Sequence, residues 1–387
     1  MVRSTVAHVD LAALKANYRA IESLLASRTP PLRKAPGVIA VVKANAYGHG
    51  ARHVALALEE AGATTLACAD IEEGVVLRRA GVKGRILVFG ALSVSDLSGV
   101  FEFDLTPTCS TPGAGRALQA AAAARRRRLR YHLKIDTGLN RLGFRHDNVQ
   151  RTLPDLIASP NLVLSAVYTH FATADDPAHP LFDDQRRRFE SVLERMAAMG
   201  VSVPARHAAN SAALLRDPGV WFESVRPGIL LYGVAPAAFA GALALRPVLS
   251  LRSRIVSVKN VRAGEGVGYG ATFSPREPRV VATVPAGYAD GLDTRLGGRG
   301  QVLVGGRRAP IVGAVSMDML AVDVTGMPVN PGEEVVFLGE QGGDRITVSE
   351  MAAAVGTIPY EILCRIGSRI ERVYDGAGTV KPTAGSR

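Results

Sequence analysis

The chain predicts an α/β protein in two parts, a (β/α)8 TIM-type barrel followed by a mainly β C-terminal domain. Three observations predict it. Strand and helix signals alternate eight times between residues 38 and 233. No GxGxxG follows the first buried strand, which disfavours an open doubly wound sheet. Beyond residue 240 the helices stop and glycine-punctuated β runs take over. A length of 387 residues exceeds one ordinary core, so two domains are expected, at 1–240 and 241–387.

The amino terminus, MVRSTVAHVDLAALKANYRAI, reads as a strand entering an amphipathic helix, with no signal-type apolar run. VIAVVK (38–43) is a short β-branched run suited to a strand buried on both faces. A turn over 45–50 and a helix over 51–62 follow it. The next strands are TLACA (65–69), RILVFG (85–90), LTPTC (105–109) and RYHLKID (130–136). Each precedes a helical stretch: IEEGVVLRRAG, a short helix near Asp96, TPGAGRALQAAAAARRRR, and a helix around 153–158. LVLSAVYTH (162–170) leads to the clearest amphipathic helix, whose stripe is Phe189, Val192, Leu193 and Met196. ARHAAN (205–210) and SVRPGILLYG (224–233) complete the series. In the second part, strands are expected in LSLRSRIVSVKNV, RVVATVPAGY, QVLVGGRRAPIVGAV, MLAVDVTG and EEVVFLGE. One helix is expected at 348–356, capped near Thr347 or Ser349, and a poorly ordered tail at GAGTVKPTAGSR.

Composition excludes several classes. With 47% hydrophobic and 21% charged residues the chain is neither disordered nor fibrous. The net charge of +11 comes mainly from arginine, and the run Arg125–Arg128 reads as a solvated helix end, since no nucleic-acid-binding motif accompanies it. Cys68, Cys109 and Cys364 are widely spaced with no CxxC, so neither a disulfide framework nor a zinc site is expected. His49 and His53 are four apart, but Gly50 stands where a metalloprotease glutamate would be needed. No uninterrupted apolar run reaches the ~18 residues of a membrane span. The expectation is a cytoplasmic protein with no membrane, metal or nucleic-acid partner.

Lys43, Asp136, His170, Asn210 and Arg226 each fall at or just beyond the carboxyl end of an expected strand, where barrel chemistry gathers. A lysine leaving a buried strand into a glycine-containing loop suits a desolvated amine able to form a Schiff base. The same place, ahead of a helix, suits an anion near backbone N–H groups.

VVKANAYGHG resembles the pyridoxal 5'-phosphate lysine segment of the alanine racemases. HLKIDTGLNRLGF, YTHFATAD, HAANSAA, VRPGILLYG, GEGVGYGATF, PAGYADG and SMDM resemble further segments of that family, in its order and over nearly the whole length. The resemblance implies an isomerase interconverting L- and D-alanine by two bases, in a homodimer whose product serves peptidoglycan or is catabolised. Lys43 would carry the cofactor and act as one base, and Tyr269 of a partner subunit as the other. Tyr47, Ser211 and the backbone N–H groups of Gly228 and Ile229 would hold the phosphate. Arg226 would meet the pyridine nitrogen, with His170 beside the ring or bracing Arg226, and Asn210 in support. Arg141 would touch the substrate carboxylate or the cofactor's phenolic oxygen, and Met317 of the other subunit would offer its backbone N–H to that carboxylate. Lys134, which some members carry as a carbamate, would position Arg141; Asp318 lies near Met317, and Tyr288 would help close the entrance. The chain departs from the family's pattern at Ala314, Ser316 and Ser368.

A decarboxylase or D-amino-acid lyase on the same cofactor would need an acidic partner for the pyridine nitrogen, where this chain has Arg226. A non-catalytic cofactor-binding barrel would have no use for the second domain. Nucleic-acid binding rests on charge alone.

Overall fold

The computed structural model describes residues 4–91 and 96–376. The expected tail falls outside the described residues, apart from Gly376. Two compact units divide the chain.

The first unit is the barrel. Its parallel strands are β2 (Gly37–Val41), β3 (Thr65–Cys68), β4 (Arg85–Val88), β5 (Thr106–Cys109), β6 (Leu129–Asp136), β8 (Leu162–Tyr168), β9 (Arg206–His207) and β10 (Ser224–Val225). Each pairs with the next, β7 (Phe144–Arg145) pairs only with β6, and β10 pairs back onto β2, which closes the ring. Closure leaves no edge, so these short strands satisfy their backbone groups without a cover. The strands bury residues such as Ala40, Leu66, Ile86, Leu133 and Val167.

Polar caps start the outer helices as their sequences dictate. Asp70 caps Ile71–Arg79 by accepting from Glu73 N, and Thr111 caps Pro112–Ala124 by accepting from Ala114 N. The long helix Leu181–Ala198 buries Phe182, Gln185, Phe189, Val192 and Met196. Leu193 is only half-buried, and the stripe instead takes in the polar Gln185. That amide is satisfied: it accepts from Ala172 N at 2.8 Å and donates to Thr137 Oγ1 at 3.2 Å and His170 O at 3.0 Å. It thereby fastens the segments that follow β6 and β8.

The second unit is mainly β. It contains β11 (Leu249–Arg254), β12 (Ser257–Val261), β13 (Arg279–Val284), β14 (Gln301–Val304), β15 (Arg307–Val312), β16 (Leu320–Asp323), β17 (Glu334–Gln341), β18 (Asp344–Ile346) and β19 (Glu371–Asp375). Thr347 caps the helix Val348–Ala354 by accepting from Glu350 N. A second helix, Pro359–Arg365, and the strand β19 were not expected from the sequence.

The first strand also departs from the expected division. β1 (Val6–Asp10) pairs antiparallel with β11 and parallel with β19, so it belongs to the β unit although it precedes the barrel in sequence. The segment Tyr47–His53 is counted with the same unit. The physical reason is pairing: β1 buries Ala7 and Val9 in a sheet whose other strands lie beyond residue 246.

Candidate active site

Lys43 follows β2 and opens a turn of unusual hand. Ala44, Asn45, Ala46 and Tyr47 have φ of 53°, 51°, 54° and 53°. A left-handed turn costs L-residues roughly 1–2 kcal/mol each. Of its occupants, two alanines, an asparagine and a tyrosine, only Asn45 is of a type that takes this hand readily, and none is β-branched. The turn is held by hydrogen bonds: Ala46 N donates to Val42 O at 2.9 Å and Ala44 N to Glu73 Oε1 at 2.6 Å. The other oxygen of Glu73 accepts from Ala69 N at 2.8 Å. Glu73 therefore braces the turn that presents Lys43, a function the sequence pattern hid because Glu73 reads as an ordinary first-turn acid.

Arg226 leaves β10 into the barrel and is buried. Its Nη2 donates to Thr169 O at 2.7 Å, Ala208 O at 2.9 Å and His170 Nδ1 at 3.2 Å, and its Nη1 to His207 Nδ1 at 2.7 Å. No carboxylate is among these partners, and burial pushes the guanidinium down to about 10. A guanidinium only donates, so both histidines accept at Nδ1. A neutral His207 then carries its proton on Nε2 and donates to His132 Nδ1, 3.0 Å away. One arginine thus sets the tautomer of three rings.

Those rings stay neutral. Burial, followed by the charge of Arg226, pushes His132 down to about 4 and holds His170 and His207 well below the ordinary histidine range. His170 also feels Lys134, Arg141 and Lys43, in that order. Lys134 is itself buried, and desolvation, then Arg226 and Arg141, hold its amine well below a normal lysine; Asp136 opposes them. The Tyr168 ring supports both cations: Lys134 Nζ lies 4.7 Å from its centroid and the Arg226 guanidinium carbon 5.2 Å, while His207 stacks on it at 4.6 Å.

Asn210 caps the short helix Ser211–Arg216, its side chain accepting from Ala213 N. Ser211 follows, buried, and its Oγ accepts from Gly228 N at 2.9 Å. Ile229 opens the next turn and is also buried. The structure thus brings Lys43, Lys134, Arg141, His170 and Arg226 into one electrostatic group, and joins Ser211 to Gly228. His132, His207, Tyr168 and Glu73 were missed. In sequence the first three alternate with strand residues and read as core, and only their crowding at one barrel end distinguishes them.

In the β unit, Tyr269 stands on a tight turn between Gly268 and Gly270, at φ of 72° and 69°, and is 79% exposed. Tyr288 N donates to Ser316 O and Ala289 N to Met317 O, each at 3.0 Å, so Tyr288 and Met317 share one loop pair. The approach requires Gly287, where a Cβ would lie 2.3 Å from Ser316 O. Arg369 pairs with Asp318 at 2.6 Å, and Ser316 Oγ donates to Met319 O at 2.6 Å. Tyr288, Met317 and Met319 are exposed. Tyr47 belongs to the same unit, with its ring 6.0 Å from that of Tyr360.

Residues 9–236 match the alanine racemase N-terminal domain and residues 248–374 the alanine racemase C-terminal domain. The chain is 42% identical over 377 residues to the alanine racemase of Symbiobacterium thermophilum, covering 97% of this chain and 98% of that one. The chain belongs to the alanine racemase family. Solved alanine racemases agree. That of the D-cycloserine producer Streptomyces lavendulae superposes with a TM-score of 0.92 at 37% identity, over 97% of this chain and 98% of that one. The Bacillus anthracis enzyme, solved with bound L-Ala-P, gives 0.90 at 37% identity, over 98% and 97%. Membership makes the protein an enzyme of the pyridoxal-phosphate-dependent alanine racemase class.

The barrel end fits that cofactor. Arg226, buried without a carboxylate partner, and Arg141 and Lys43, which bear on the same His170 ring, favour an anion, and a phosphate with an amino-acid carboxylate supplies the charge. Among the described residues no group of three or more His, Cys, Asp or Glu side chains is arranged to hold a metal. His53 instead stacks on Tyr374 at 3.8 Å.

Proposed function

We propose that this alanine racemase family member interconverts L- and D-alanine by moving the Cα proton between two bases, Lys43 and Tyr269 from a second copy of the chain. The observation that carries the reading is the carboxylate-free environment of buried Arg226 beside the Lys43 strand end. Pyridoxal 5'-phosphate, when bound, supplies an electron sink that acidifies the Cα–H bond. Arg226 cannot realistically release a proton, so it gives none to a ring nitrogen facing it. That favours return of the proton to Cα over transamination, and it disfavours the decarboxylase alternative.

Lys43 would hold the cofactor covalently and take or return a proton on one face. Ser211, Gly228 and Ile229, with Tyr47, would bind the phosphate, Gly228 and Ile229 through backbone N–H groups. Asn210 fixes the helix that carries Ser211, and His170 braces Arg226. Arg141 and the Met317 N–H of the second copy would hold the substrate carboxylate, with Asp318 and Tyr288 of that copy shaping the approach. Burial and neighbouring cations hold the Lys134 amine well below a normal lysine; the neutral amine is the form that adds carbon dioxide, and a carbamate there, its proton released to solvent, would place a negative charge beside Arg141. The exposure of Tyr269, Tyr288 and Met317 accords with a homodimer in which the β unit delivers the second base.

The test uses cofactor-loaded protein and D-alanine in deuterium oxide. The expected result is loss of optical rotation with deuterium at Cα; release of carbon dioxide or ammonia would overturn it. Tyr269→Phe should lower kcat by about 10²–10⁴. Mixing that variant with Lys43→Ala under subunit exchange should restore about a quarter of the activity, because a mixed dimer keeps one intact site. No recovery would place both bases in one chain. D-alanine made this way would feed peptidoglycan, and rescue of a D-alanine-requiring bacterium tests that use.

A further inference from the structure

At the amino-terminal end of the barrel strands, opposite the Lys43 end, lies a cavity of about 410 Å³. Its walls come from the segments that open β4, β5 and β6, and its polar lining is strongly one-sided. Lys83, Arg85, Arg127, Arg128 and Arg130 line it, with Asp104 as the acid in the wall. β6 spans the eight residues from this cavity to Asp136, so the two barrel ends lie roughly 23 Å apart. The arginine run that reads as a solvated helix end is therefore divided: the helix stops at Ala124, Arg125 caps it, and Arg127 and Arg128 turn into the cavity wall.

Most other arginines with a defined role here meet an acid, as Arg186, Arg252, Arg308 and Arg365 do. Among the described residues, none of the five cavity cations has an ion pair. The wall is also partly fixed in place. Arg127 Nη1 donates to Phe101 O at 3.0 Å, and its guanidinium lies 6.0 Å from the Phe101 ring. Asn161 Nδ2 holds Arg127 O at 3.2 Å, and the nearby carboxylate of Glu59 is occupied by Lys83 N and Gly84 N. Five unneutralised cations around one concavity repel one another and focus a positive potential into it. Guanidinium forks match phosphate oxygens, and the space exceeds what one orthophosphate fills.

We infer that this cavity is a binding site for an oligophosphate, a linear chain of two or more phosphates, free or carried on a nucleotide. The site stands apart from the racemase reading and does not depend on it.

Calorimetric titration of the cofactor-loaded full chain at constant ionic strength tests it. The probes are inorganic triphosphate, ATP, orthophosphate and a short RNA. One triphosphate should bind per chain, at least about tenfold more tightly than orthophosphate. ATP equal to triphosphate marks the free phosphate chain as sufficient, and ATP stronger by tenfold marks a nucleotide. Arg128→Glu with Arg130→Glu should weaken triphosphate binding by about tenfold or more, while Asp104→Asn, which keeps a residue tolerant of the φ of 47° there, should tighten it. The melting curve and the alanine exchange activity of both variants show that they fold. Unchanged triphosphate binding in the double variant, orthophosphate equal to triphosphate, or binding of RNA without triphosphate would each overturn the site.

Discussion

Arg226 shows how much one buried cation dictates. By donating at both Nη groups it makes acceptors of His170 and His207, and through His207 it orients His132. The protonation of these rings has a pH consequence with a definite sign. Their folded-state values lie below the ordinary 6.5, with His132 at about 4. Between those limits the unfolded chain carries protons that the folded chain excludes, so stability rises with pH. It is fully present above about pH 6.5 and is lost as the pH falls toward 4, by about 1.4 kcal/mol per pH unit for each ring. Urea unfolding from pH 4.5 to 7 should show this slope, and His132→Asn should remove about a third of it. A slope unchanged by the substitution would mean that His132 takes up its proton inside the barrel. Nitrogen NMR should find His207 with its proton on Nε2 throughout the neutral range.

The left-handed turn after β2 is the element on which the lysine depends. Ala44 lies in the exposed part of it at φ of 53°, tied to Glu73. Glycine adopts this conformation without steric cost, so Ala44→Gly should leave the thermal midpoint unchanged or raise it. Ala44→Val should lower stability by about 1–2 kcal/mol, because a branched Cβ is worst suited to it. Equal melting of the two variants would show that the turn relaxes to the right-handed form. The handedness was not legible in KANAY, since nothing in its composition demands positive φ and the glycine that signals a turn is Gly48, one residue too late. The brace from Glu73 was equally hidden, because it comes from the helix after β3, Ile71–Arg79.

At the scale of the molecule, the barrel was readable and the sheet of the β unit less so. Lys43, Asp136, His170, Asn210 and Arg226 fall at or just past the carboxyl ends of β2, β6, β8, β9 and β10. Those endings announce a site even without the resemblance. β19 escaped notice because ERVYD is a strand with exposed and half-exposed residues in alternation, and such an edge has no apolar face to betray it. The pairing of β1 escaped for a different reason. A strand's sequence states which face is buried, never which partner buries it, and its partners here begin beyond residue 246. His132 and His207 were lost between these cases, as polar residues inside a ring where core side chains were expected.

That pairing fixes an order of events on the ribosome. β1 emerges well ahead of its neighbours β11 and β19, and at roughly 5–20 residues per second it waits tens of seconds for them. The barrel sequence can be complete long before, leaving a ready amide ladder with nothing to dock on. A fragment ending at residue 245 should therefore aggregate more than one that also lacks residues 1–10, as light scattering of the two after dilution from urea would reveal. Nascent chains of this protein carry β1 unpaired until its partners emerge, and their yield in a cell should follow how well that strand is shielded in the meantime.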